Sequence, residues 1–115
     1  MKLTLTLALA VAATFAGGQA FAADAAATLA NYNKHCVSCH GKDGAGKTTM
    51  GRKVGAKDYT DPKVIAEIKD DHAIKQIKEG MKDKAGKELM KPFADKLSDD
   101  DIKALLEYMK AFAKK

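Results

Sequence analysis

A chain of 115 residues with 46% hydrophobic side chains is long enough for one compact domain and too short for two separate cores. Its 20 basic residues outweigh 15 acidic ones, for a net charge of +5, but almost all are lysines mixed with acids, and Arg52 is the one arginine. That pattern is a solvated surface with a basic bias, suited to steering an acidic protein partner, and it lacks the dense stripe that nucleic-acid binding requires.

The N-terminus reads as an export leader. Lys2 supplies a positive charge, residues 3–16 form an apolar run, and Ala20-Phe21-Ala22 is a small-x-small cleavage signal. The run is too short for a good membrane span, and no second run of spanning length follows. Cleavage after Ala22 would leave one exported domain over residues 23–115. Retention of the leader as an anchor is the alternative.

Residues 24–35 are expected to form a helix whose apolar face comprises Ala25, Ala26, Leu29, Tyr32 and Cys36. Tyr32 is expected to pack, and His35 to stay exposed or beside the site. Then comes Cys36-Val37-Ser38-Cys39-His40. Two thiols at this spacing can form thioethers to the two vinyl groups of a haem, and the adjacent histidine can ligate its iron. A thioredoxin-like redox pair competes, but such pairs follow a strand, and the sequence shows no convincing strand pattern. Structural zinc lacks a second cysteine pair. A CxxC disulfide would close too short a loop to stabilise much.

Between Gly41 and Tyr59 helical periodicity disappears and five glycines enter, as in a loop that wraps a cofactor. Gly44-Ala45-Gly46-Lys47-Thr48 lacks the spacing and preceding strand of a phosphate-binding loop. Asp61 and Pro62 mark the next helix start, with Val64, Ile65 and Ile68 as its apolar face. A further helix is expected over 71–79, with Ala73, Ile74 and Ile77 inward and Gly80 as terminator. His72 is read there as a surface or capping residue. Residues 81–97 are expected to be irregular. Ser98 then caps the clearest helix, which starts on three aspartates and buries Ile102, Leu105, Leu106, Met109 and Phe112, with Tyr108 bordering that face near Tyr32.

An iron held by His40 needs a sixth partner, water or an open position. Met109 belongs to the last helix's core, Met50 is too near the attachment motif, and Met81 is a lesser candidate. Met90, in the irregular segment before Pro92, is the best one; packing in a small core is an equal reading of the same residue.

The Leu29-Tyr32 helix, Cys36-Val37-Ser38-Cys39-His40, Met90-Lys91-Pro92-Phe93 and Leu105-Tyr108 together resemble a small class I c-type cytochrome of the soluble, single-haem bacterial kind. The resemblance spans nearly all of residues 23–115. It implies an all-α fold with crossed N- and C-terminal helices around one covalently bound haem c per chain. It implies thioethers at Cys36 and Cys39, and His40 and Met90 as axial ligands. It also implies one-electron transfer without catalysis in the periplasm, by a monomer in contact with acidic redox proteins or membrane-bound redox complexes. Lys47, Lys53, Lys87 and Lys91 are candidates for orienting the partner, and Arg52 or Lys53 for neutralising a propionate. A haem enzyme or gas-binding protein with a labile distal ligand, and a membrane-associated subunit of an electron-transfer complex, are the rival readings. The sequence departs from many relatives in two places. The Met50-Gly51-Arg52 region lacks a proline whose carbonyl would hold the proximal histidine, so another backbone carbonyl is expected there. Lys91 separates Met90 from Pro92.

Overall fold

The structure, a computed structural model, describes residues 17–114, with side chains from Asp24 onward. The apolar leader over 3–16 lies outside the described residues, and the expected cleavage point falls within the first helix.

Helix α1 (Gly17–His35) runs into a single turn, α2 (Val37–His40). Three further short helices follow, α3 (Thr49–Val54), α4 (Pro62–Glu67) and α5 (Asp70–Glu79). A two-stranded antiparallel hairpin comes next, β1 (Met81–Lys82) with β2 (Glu88–Met90). Helix α6 (Asp99–Lys110) and a 3₁₀ turn (Ala111–Lys114) close the chain. The fold is therefore mostly helical, as expected, and the short hairpin lies in the segment 81–97 expected to be irregular.

The core forms where α1 crosses α6. Tyr32, Ile102 and Leu105 are fully buried, and Phe93, Leu97, Met109 and Phe112 pack around them. The ring of Tyr32 lies 5.0 Å from that of Tyr108 and 5.6 Å from that of Phe112, so the expected contact between terminal helices is present. Leu29, expected on the same face, is 45% exposed instead.

The chemistry of the ends sets the other boundaries. Asp61 Oδ1 accepts from the Lys63 N–H at 2.9 Å and Pro62 occupies the first helical turn of α4. Ser98 and Asp101 form a reciprocal capping box that starts α6. Helices α5 and α6 lie antiparallel, joined at both ends by ion pairs, Lys78 to Asp99 at 2.9 Å and Lys110 to Asp70 at 3.0 Å. The glycine-rich segment is not all loop, because Thr48 caps α3 through its hydroxyl, which accepts from the Gly51 N–H at 2.8 Å.

Candidate functional site

The site begins with helical spacing. The α-type hydrogen bond from His40 N to the Cys36 carbonyl (2.9 Å) places Cys36, Cys39 and His40 on one side of a single turn. All three line a cavity of about 940 Å³. Met90 and Met81 line it from the hairpin, His72 and Ile77 from α5, and Leu105 and Met109 from α6. Met81 and Met90 are cross-strand partners, both half-buried, so the hairpin presents two thioethers to one cavity. Met50 is also on the cavity wall but 49% exposed, and Met109 is buried in the core.

Helix α3 holds this turn from behind. The Thr48 hydroxyl donates toward the Ser38 and Cys39 carbonyls, at 2.7 and 3.0 Å. Gly51 lies so close to the Cys39 carbonyl that a Cβ there would overlap it. Tyr32 reaches the same region from α1, its hydroxyl donating to the Gly41 carbonyl.

Cys36 and Cys39 are both free thiols. Burial, with a smaller contribution from Cys39, pushes the Cys36 thiol up to about 11. A dithiol redox pair needs the opposite shift, toward a stable thiolate, so the thioredoxin-like rival loses its chemistry here.

His40 stands edge-on to Tyr59, ring centroids 5.6 Å apart. Burial lowers its pKa below the ordinary imidazole value and keeps the ring neutral, the form that ligates a metal. Its Nδ1 is buried without a hydrogen-bond partner. Having no accessible surface, Nδ1 faces protein, which leaves the Nε2 edge for the cavity side. The backbone carbonyl expected behind His40 is therefore not in place. Neighbouring carbonyls are engaged elsewhere: Gly44 accepts from Tyr59 N, Thr48 from Arg52 N, and Gly51 from Ala56 N.

Around the mouth, Lys34, Lys57, Lys69, Lys91 and Lys96 outnumber Glu67 and Glu88. Of the lysines singled out from sequence, Lys91 alone belongs to this set. Lys47, Lys53 and Lys87 do not line the cavity, nor does Arg52, so the expected propionate partners Arg52 and Lys53 lie away from the site. His35 does line it, set against the Phe93 ring at 5.3 Å. His72 is exposed at the wall, without the capping bond considered for it.

The donor set fits a haem c. Two free cysteines a helical turn apart, a neutral buried imidazole and a thioether on the facing hairpin surround one large cavity with an apolar floor. Fold and site thus define a c-type cytochrome. The family described as cytochrome c oxidase, cbb3-type, subunit III matches residues 23–109, and the chain belongs to it. Among solved structures, the KustC0563 c-type cytochrome is 35% identical, with a TM-score of 0.65 over 74% of this chain and 95% of that one. A tyrosine-to-phenylalanine mutant of that protein is 34% identical, with a TM-score of 0.64 over 74% and 96%. No curated protein matches.

The chain accordingly has the electron-transfer role of a c-type cytochrome, in a family of non-catalytic cytochrome subunits. Among the described residues no group of three or more His, Cys, Asp or Glu could hold a metal ion, and no helix is long and apolar enough to cross a membrane.

Proposed function

We propose that this chain is a one-electron carrier domain working within, or docked on, a membrane-bound redox complex. In this reading Cys36 and Cys39 would hold haem c through thioethers, and His40 and Met90 would ligate its iron. The observation that carries it is the single cavity that His40 lines from the CxxCH turn and Met90 from the facing hairpin. The haem would supply a reversible change between ferric and ferrous iron, and a neutral thioether donor would favour the ferrous state.

The chain's own residues do the rest. The buried cysteine wall and the α6 side chains Leu105 and Met109 keep water from one face of the cavity. The lysines at its mouth leave a positive rim through which an acidic protein surface can be steered. The family match favours a complex subunit over a freely diffusing carrier. The export-type leader and proposed cleavage after Ala22 keep the second reading, a small soluble periplasmic class I cytochrome that visits such a complex.

Visible absorption of the matured holoprotein in both redox states, beside M90A and C36S/C39S, tests the site. The wild type is expected to show a c-type spectrum with the weak red charge-transfer band of methionine bound to ferric iron. M90A should lose that band, and C36S/C39S should lose covalent haem. A wild type without the band, binding external ligands freely, would remove Met90 from the iron. Fractionation then separates the two settings: a complex subunit stays with the membrane redox assembly through gentle detergent extraction, and a free carrier leaves as a small monomer beginning at Ala23.

A further inference from the structure

Helix α5 ends at Gly80, one residue before β1 and directly against the segment that carries Met90. Gly80 has φ 77° and ψ −179°, a backbone conformation open essentially to glycine alone. A Cβ placed there would lie 2.6 Å from the Met90 carbonyl oxygen, 2.9 Å from Pro92 N and 3.1 Å from the Lys91 carbonyl carbon. All three are backbone atoms, and the chain just beyond them is tied down. Phe93 N donates to the Ile77 carbonyl at 3.0 Å and Ala94 N to that of Lys78 at 3.2 Å, so the end of α5 grips the segment immediately after the methionine.

We infer that Gly80 is a positioning residue for the sixth ligand: the space of its absent side chain is where the Met90–Pro92 backbone passes. The inference rests on the Met90 reading above and adds what sets that methionine's place. A Cβ at Gly80 needs its nearest backbone neighbour to withdraw from 2.6 Å to at least the 3.4 Å of ordinary contact. Metal–ligand distances tolerate only about 0.2 Å, so a shift of this size is several times what the bond absorbs.

Gly86, at the hairpin tip, provides the control. It too has positive φ, 84°, but nothing lies within 4 Å of its Cβ position. G80A and G86A holoproteins are compared by the red charge-transfer band of the ferric form, by imidazole titration and by far-ultraviolet circular dichroism. G80A is expected to lose at least half of the band and to bind imidazole about tenfold more tightly, a change of about 1.4 kcal/mol in ligand competition. G86A should retain the wild-type band and imidazole affinity. A G80A protein with wild-type band and affinity overturns the inference. So does one that falls short of the helical content of G86A, because Gly80 would then serve the fold as a whole. M90A separates the two readings. If M90A keeps the band, Met90 ligation fails and this inference with it; if M90A loses it while G80A keeps it, this inference alone fails.

Discussion

Tyr32 joins the N-terminal helix to the CxxCH turn through both ends of its side chain. The ring is fully buried against Tyr108 and Phe112, and the hydroxyl donates to the Gly41 carbonyl, one residue past His40. Burial raises its pKa far above the ordinary phenol value, so the hydroxyl remains a donor throughout the physiological range. Y32F keeps the ring and strands a carbonyl, and should cost the holoprotein about 1–2 kcal/mol in urea unfolding. Y32A removes the packing too and should cost about 3–5 kcal/mol. Equal losses for both would mean that the hydroxyl is the whole contribution. The CxxCH set was legible because residues i, i+3 and i+4 share a helical face whatever the tertiary structure does. The lysines at the cavity mouth were not. Lys34, Lys57, Lys69 and Lys96 come from four separate stretches of chain, and nothing local distinguishes them from Lys53, an exposed residue on α3.

At the level of elements, α6 depends most visibly on its start. Ser98 Oγ accepts from Asp101 N at 3.1 Å while Asp101 Oδ2 accepts from Ser98 N at 3.0 Å, satisfying two otherwise orphaned donors. S98A should lower stability by about 1 kcal/mol, read from the urea midpoint at constant slope. The α5–α6 ion pairs behave differently, being partly exposed and screened. K110A should reduce the urea midpoint at low salt, with the difference shrinking towards zero near about 1 M salt. Hydrogen bonds to Asp70 and Glu107 raise the Lys110 pKa, so its contribution is complete at neutral pH and disappears as pH climbs through that raised value. Hydrogen bonding to Lys78 holds the Asp99 carboxyl below the usual range, so that contribution is present above ordinary carboxylate pKa values and disappears on acidification through the lowered one. A midpoint difference for K110A that persisted in high salt would point to lost packing of its stem instead. These helices were readable because caps and apolar spacing are local signals. The hairpin was not, because strands of two and three residues are too short to show alternation. Its turn had left a trace in Asp83, whose Oδ1 accepts from both Ala85 N and Lys87 N.

For the whole molecule the deciding quantity is the cavity. All six helices and the hairpin contribute to its wall, and its volume is about 940 Å³. If nothing filled it, its apolar wall would meet solvent, and covering such surface is worth about 25 cal/mol per Å². In the proposed reading a macrocycle covers that wall, and the chain without it is expected to lose the packing around Leu105, Met109 and Phe93. C36S/C39S protein purified free of haem should keep part of its far-ultraviolet helical signal, since the Ser98 cap and the three aspartates stabilise α6 locally. It should lose near-ultraviolet aromatic signal from the Tyr32–Tyr108–Phe112 cluster and unfold in urea without a cooperative transition. A sharp, two-state transition in the haem-free protein would mean that the helices close the space themselves, and that the fold precedes its cofactor.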